Sequence, residues 1–142
     1  PIYVIDRMVG RHSRGGRHHG GGCYGYAEAG SKTIWPGLMD LYYNADAAVI
    51  EDDIKDRLLF RQVIEALKCL ETGVLRSVAD GNIGSIMGIG APAWTGGLIQ
   101  FVNTYGLEQF SARCEEPAAQ YGDRFEAPEI VAQKIAAGEA FS

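Results

Sequence analysis

Between Asp53 and Gly73 the apolar residues return every three or four positions: Ile54, Leu58, Leu59, Val63, Ala66, Leu67 and Leu70. That period lays one apolar stripe along a helix and is incompatible with the two-residue alternation of a half-buried strand. Glu51, Asp52 and Asp53 stand where the positive end of the helix dipole favours carboxylates, and Gly73 supplies a stop. A helix of this length must bury its stripe against others, so the spacing predicts a mainly helical body.

The residues beyond Gly73 agree. Ser77 to Asp80 has the S-x-x-D form of an N-terminal cap and opens a second, shorter helix. Gly81 and Gly84 weaken that helix, by roughly 1 kcal/mol each relative to alanine, unless they let a neighbouring helix come close. Leu98, Phe101 and Val102 predict a third helix ending near Gly106, and Leu107, Phe110 and Cys114 begin a fourth. Pro117 lacks a backbone donor and is expected to kink or end the fourth. Pro128 suits the first turn of a last helix carrying Ile130, Val131 and Ile135.

The N-terminal third reads differently. PIYVIDRMVG suits either the last turns of a helix ended by Gly10 or a short strand. GRHSRGGRHHGGG, residues 10–22, contains no apolar side chain and is expected to form an exposed loop. CYGY, the turn residues EAGSK and the run TIW predict a β-hairpin over residues 22–35, closed around Gly30 and ended by Pro36 and Gly37. The chain opens on a proline, which suggests a piece of something longer. A boundary near residues 45/46 separates this third from the helical body.

Charge and cysteine usage narrow the functions available. A net charge of −5 opposes general nucleic-acid affinity, yet Arg7, Arg11, Arg14 and Arg17 crowd the first seventeen residues. This local basic patch suits a specific anionic contact. Arg14 and Arg17 would grip phosphate or carboxylate with forked donors, or pair with acidic neighbours in a solvated loop. An RGG-like RNA-binding arm is a third option, opposed by the acidic total. Cys23, Cys69 and Cys114 are an odd, scattered set with no CxxC pair, which argues for a reducing compartment and against a thiolate zinc site. His12, His18, His19 and Cys23 offer ligand atoms, but adjacent histidines do not readily face one ion. No stretch has the length and apolarity of a membrane span, and no signal peptide is evident. The default location is cytoplasmic.

GIGAPAWTGG, residues 88–97, invites comparison with phosphate-binding loops. Gly88 and Gly90 match the first pair of GxGxxG, but Ala93 replaces the third glycine, a helix precedes where a strand belongs, and no Gly-Lys-Ser/Thr comes after. The segment therefore reads as an interhelical corner with Trp94 plugged into the core. Asp56 and Glu65 lie on similar sides of the long helix but more than two turns apart, which suits ion pairing better than paired catalysis.

Several strings together resemble the 3-hydroxyacyl-CoA dehydrogenases and the multifunctional fatty-acid oxidation proteins that contain them. GGRHHGGGCYGY is similar to their GRKxGxGFYxY segment, with Cys23 at the usual phenylalanine. KTIWPGL is similar to the stretch C-terminal to that segment in the multifunctional proteins. RLLFRQVIEALKCLETGVL and GIGAPAWTGGLIQFVNTYGL resemble their second C-terminal helical domain, where the corner commonly reads GxGFPPxxGG; Ala91 and Ala93 depart from that pattern. The resemblance covers nearly the whole chain. It implies that residues 1–45 end a first helical domain and that 46–142 form a second. It implies a parent enzyme that uses NAD and acyl-CoA, sometimes carries enoyl-CoA hydratase activity, and in some cases docks to a thiolase. The catalytic histidine, its glutamate and the NAD-binding motif of that family have no match here. By the same resemblance this segment holds no catalytic or cofactor residues, and the residues themselves argue against a metal site. An asparagine that assists in the first helical domain corresponds to Asp56, which cannot supply an amide donor. Arg14 and Arg17 are the candidate CoA-phosphate contacts. The rival reading is an independent helical module that binds a partner protein.

Overall fold

The computed structural model describes residues 2–27, 30–48 and 50–142. The chain divides into two compact units, Pro1–Ala48 and Val49–Ser142. Seven α-helices and one two-stranded antiparallel sheet make the described residues mainly helical.

In the N-terminal unit, α1 (Ile2–His12) runs through Gly10 and takes in the first residues expected to be loop. Gly10 lies in open space and is helical, so it costs helix propensity without forcing a stop. Residues 13–23 are also more ordered than a solvated loop. Gly16 and Gly21 exchange backbone hydrogen bonds of 3.0 Å across a bridge, and Arg17–His19 form one 3₁₀ turn between them. Strands β1 (Tyr24–Tyr26) and β2 (Lys32–Ile34) pair in the register Tyr24↔Ile34, Gly25↔Thr33, Tyr26↔Lys32. Gly30 has φ +79° and its amide donates to Ala27 O at 2.9 Å, a left-handed turn position that suits glycine. Residues 28 and 29 of the expected turn lie outside the described residues. Pro36 and Gly37 do end the second strand, but they also open a helix, α2 (Pro36–Tyr42), because a proline at the first helical position lacks only a donor that would go unused there.

The C-terminal unit is built on α3 (Glu51–Glu71), whose first turn holds Glu51, Asp52 and Asp53. Phe60, Val63, Ile64 and Leu67, at spacings of three, four and seven, are its fully buried residues. They meet Leu98, Ile99 and Val102 of α5 (Leu98–Tyr105), Phe110 and Cys114 of α6 (Leu107–Tyr121), and Val131 of α7 (Glu129–Ala137). Phe60 lies 4.8 Å from the Phe110 ring centre and stands edge-on to Tyr105 at 5.4 Å. Such pairs add about 1 kcal/mol to the area they bury. Helix α4 (Val78–Ile89) begins as its sequence marks, with Ser77 Oγ accepting from the Asp80 amide at 3.0 Å.

Pro117 neither ends nor divides α6, which continues to Tyr121. Its ring is buried, seven residues from Phe110 and three from Cys114, so it packs on the same inward face. The loss of one backbone bond is offset by that burial. Between α6 and α7 a 3₁₀ turn, Asp123–Phe125, buries Phe125. Glu71 at the end of α3 accepts from the Ile130 amide at 2.8 Å and so caps the start of α7. The final residues fold back: Asn103 holds Phe141 by both backbone groups, at 2.9 Å from its N–H and 2.8 Å to its carbonyl.

Candidate functional site

The basic loop and the glycine-rich corner are the two places where the sequence suggests ligand chemistry. The structure treats the loop's two arginines differently. Arg14 Nε donates to Gly22 O at 2.7 Å and Nη2 to Tyr24 O at 3.1 Å, while the guanidinium lies 4.4 Å from the Trp35 ring centre. Its backbone amide donates to Met8 O at 2.8 Å. Arg14 thus ties α1, the loop and the base of the hairpin together. Gly21, at φ +129°, permits this, since a Cβ there would meet Arg14 Nη2 and stand 2.9 Å from Tyr24 O. Arg17 is exposed, 5.4 Å from the Tyr26 ring centre, and its guanidinium has no hydrogen bond or ion pair among the described residues. Of the pair, Arg17 keeps its forked donors open to solvent.

The loop histidines do not converge. His12 tilts against Trp35 at 5.5 Å with its Nε2 buried and unpartnered, while His18, His19 and Cys23 are exposed. Among the described residues no three His, Cys, Asp or Glu side chains could share a metal ion.

The corner is closed to phosphate for a specific reason. Helix α4 ends at Gly90 in the left-handed region, and Ala93–Thr95 form one 3₁₀ turn before α5. The amides that start α5, which would face an anion in a nucleotide loop, already have acceptors. Leu98 N–H donates to Ser85 Oγ at 3.2 Å. Ile99 and Gln100 N–H both donate to Asn82 Oδ1, at 3.0 and 2.9 Å. Gly97, at φ +113°, lets the backbones come this near, because a Cβ there would be 2.5 Å from Asn82 Cα. Gly81 does the same under Ile99, whereas the space beside Gly84 is open.

Trp94 corrects the expectation of a core plug. It is 77% exposed, and Ala91 and Thr95, four residues apart, take the inward positions. Thr95 Oγ1 donates to Pro92 O at 2.7 Å and accepts from Gly97 N–H at 3.1 Å, which fixes the turn with the indole outside.

Trp94 overhangs a groove of about 440 Å³ formed with Leu58, Leu59, Pro92, Phe101 and Tyr105. A second groove of about 460 Å³ runs between α3 and α4, lined mainly by Ala66, Cys69, Val74, Leu75, Gly84 and Ile89. Gln62 lines both. These grooves are apolar, and the edge of the second carries the Arg61–Glu65 ion pair at 2.5 Å.

The carboxylates that the sequence singles out are ion-paired. Arg113 Nε donates to Asp56 Oδ2 at 2.8 Å and its guanidinium also bonds Glu116. Bonding to Asp56 is the main reason the Arg113 pKa is raised. Arg57 stacks 3.7 Å from the Tyr121 ring centre beside Asp53. Glu65 pairs with Arg61, far along α3 from Asp56. This network joins α3 to α6, and Asp56 also lines the groove beside Trp94. Burial pushes the Cys114 thiol up to about 12 and raises Tyr105, so both stay protonated at neutral pH.

No protein-family model matches the chain. No helix of the described residues is long and apolar enough to cross a membrane. Sequence reasoning missed Asn82 and Ser85 as supports of α5, since a mid-helix Asn or Ser gives no sign of which distant amide it serves.

Proposed function

We propose that the chain is the C-terminal helical portion of an NAD-dependent 3-hydroxyacyl-CoA dehydrogenase of fatty-acid β-oxidation, and that it scaffolds the catalytic domains without catalysing alone. The observation that carries this reading is the ordered series of strings running from GGRHHGGGCYGY to GIGAPAWTGGLIQFVNTYGL. The filled amides at the start of α5 support it, because that helix start offers a dinucleotide no free donors from Leu98, Ile99 or Gln100. In this reading NAD and the acyl-CoA reaction centre belong to upstream domains of the parent, and the hydratase, the thiolase contact and the cytoplasmic location belong to it also. Arg17, with donors open to solvent, is the better of the two candidates for a CoA phosphate, and Arg14 holds the loop that presents it.

The test is direct. The chain mixed with NAD and a 3-hydroxyacyl-CoA is expected to leave NADH absorbance at background; turnover above background refutes the scaffold reading. In the intact parent, Arg17→Ala is expected to raise the apparent KM for acyl-CoA with kcat little changed. The exposed indole of Trp94 over an apolar groove favours a second reading, an independent module that binds a partner protein. An upstream strand-GxGxxG-helix in the intact polypeptide decides for the enzyme, and its absence decides for the module.

A further inference from the structure

One face of the hairpin gathers cations and aromatic rings. Residues directly opposite in an antiparallel pair share a face, so Tyr24 with Ile34 and Tyr26 with Lys32 point one way, and Gly25 with Thr33 take the other side. Lys32 Nζ lies 3.9 Å from the Tyr24 ring centre, a diagonal contact across the strands, and the Arg17 guanidinium lies 5.4 Å from the Tyr26 ring centre. The rings hold both cations on this face, while Tyr24, Tyr26 and Ile34 remain 39%, 41% and 58% exposed. Among the described residues neither Arg17 nor Lys32 has a hydrogen-bonding or ion-pair partner for its charged group. We propose that this face is a nucleotide site, taking a ligand that combines two phosphate groups with an aromatic base, the chemistry of a nucleoside bisphosphate.

The backbone beneath this face is already fixed. Arg14 spends its guanidinium on the Gly22 and Tyr24 carbonyls, and Trp35 N–H donates to Cys23 O at 3.0 Å, which ties the start of β1 to the end of β2. The Gly16–Gly21 bridge holds the turn that carries Arg17. A ligand therefore meets two cations whose supports need no rearrangement, and less freedom is lost on binding. Arg17 brings a planar fork and Lys32 a point charge, both of which grip phosphate oxygens. The exposed tyrosine edges and Ile34 supply apolar surface on which a planar base can lie.

The count of cations selects this ligand over a nucleic-acid strand. The chain carries −5, and Arg7 is turned to the Tyr3 hydroxyl as Arg14 is to carbonyls, so Arg17 and Lys32 are what the hairpin face presents. That pair matches two phosphate groups. A strand held by its backbone at physiological salt relies on more contacts, about six to ten. An acidic peptide would satisfy the cations and leave the rings without a planar partner. The inference deepens the dehydrogenase reading, on which it rests for the source of the ligand, the nucleotide end of an acyl-CoA. What it adds is Lys32, Tyr24 and Tyr26 beside Arg17.

The experiment titrates adenosine 3′,5′-bisphosphate into the full chain at low salt and follows backbone amide shifts by NMR. Saturable shifts are expected at residues 17–19, 24–26 and 32–34, with a Kd on the order of 0.1–1 mM. Arg17→Ala and Lys32→Ala should each weaken binding roughly fivefold or more, with far-UV circular dichroism unchanged. Arg61→Ala, in the C-terminal unit, should leave the Kd as it was. Tyr26→Leu should weaken the nucleotide roughly threefold and leave pyrophosphate unaffected, which separates the base contact from charge alone. No saturable shift up to about 10 mM, shifts confined to the C-terminal unit, or equal affinity for pyrophosphate overturns the proposal. So does tighter binding of a uridine-rich single-stranded RNA with a log–log salt slope steeper than about −2. A failed titration beside an upstream strand-GxGxxG-helix removes only this site. Binding in a polypeptide without that motif removes only the dehydrogenase reading.

Discussion

Asn82→Ala is the substitution from which the helical unit should suffer most for the fewest atoms removed. The Asn82 side-chain oxygen accepts from two consecutive amides at the start of α5, and the structure offers neither amide another acceptor. Loss of a helix cap costs about 1 kcal/mol. A buried amide left without a partner costs about 1–3 kcal/mol. Ile99 is fully buried, so water cannot readily replace the lost oxygen at its amide. The alanine keeps the Cα and Cβ that a side chain at Gly97 would strike, so the close approach there is retained. The expected loss is roughly 2–4 kcal/mol, which for a unit of this size lowers Tm by roughly 10–25 °C. Urea and thermal unfolding monitored by circular dichroism measure both. Asn82→Asp keeps the acceptor and sets a negative charge at the positive end of α5, so it should restore most of the loss at neutral pH. Ser85→Ala, which frees one amide, should cost about 1 kcal/mol. An alanine variant within 0.5 kcal/mol of the parent, or an aspartate variant no better than alanine, refutes this account of how α5 begins.

Gly97→Ala should destabilise by about 2 kcal/mol or more, since its φ is positive and its Cβ would strike the Asn82 backbone; Gly84→Ala, in open space, should stabilise by about 0.5–1 kcal/mol in the same urea titration. Cys114 should resist a thiol reagent in the folded chain while exposed Cys23 reacts, with mass spectrometry assigning the label. Because its folded pKa is raised, the stability linked to Cys114 is present at neutral pH. It is lost as the unfolded thiol ionises above about pH 9, so Tm should fall through that range and fall less in Cys114→Ala. The Glu139 pKa is lowered by its bond to Lys134. That contact is present above the ordinary glutamate range and is lost as pH falls through the lowered value; Lys134→Met should bring the Glu139 titration, measured by NMR, back up.

The helix α3 was legible from its period, but its buried face only in part. Val63 and Leu67 of the expected stripe are fully buried, whereas Ile54 and Leu58 are exposed and Phe60 and Ile64, which the stripe left out, fill the core. The facing helices and not the period choose which side turns inward. The Ser77 cap is as local as its motif. What escaped the sequence depended on geometry between elements. Trp94 reads as core by size, yet a single 3₁₀ turn gives its inward positions to Ala91 and Thr95. Pro117 reads as a terminator, yet its ring serves the buried face of α6. Pro36 and Gly37 read as an ending, and the same proline begins α2. In the basic loop, Arg14 and Arg17 look equivalent three residues apart. Only the hairpin's fold brings the carbonyls of Gly22 and Tyr24 to one of them. The mainly helical class needed none of this information; the accessible chemistry of the loop needed all of it.

The borrowed acceptors at the start of α5 also bear on the order in which the chain acquires structure. A short helix is costly to nucleate, and α5 has only eight residues. Its leading amides wait for side chains 13 to 18 positions earlier. A peptide spanning only residues 96–106 should therefore remain a coil in water. Helix α4 has its own serine start and can form earlier, so α5 should gain and lose hydrogen-exchange protection together with it, as one cooperative pair.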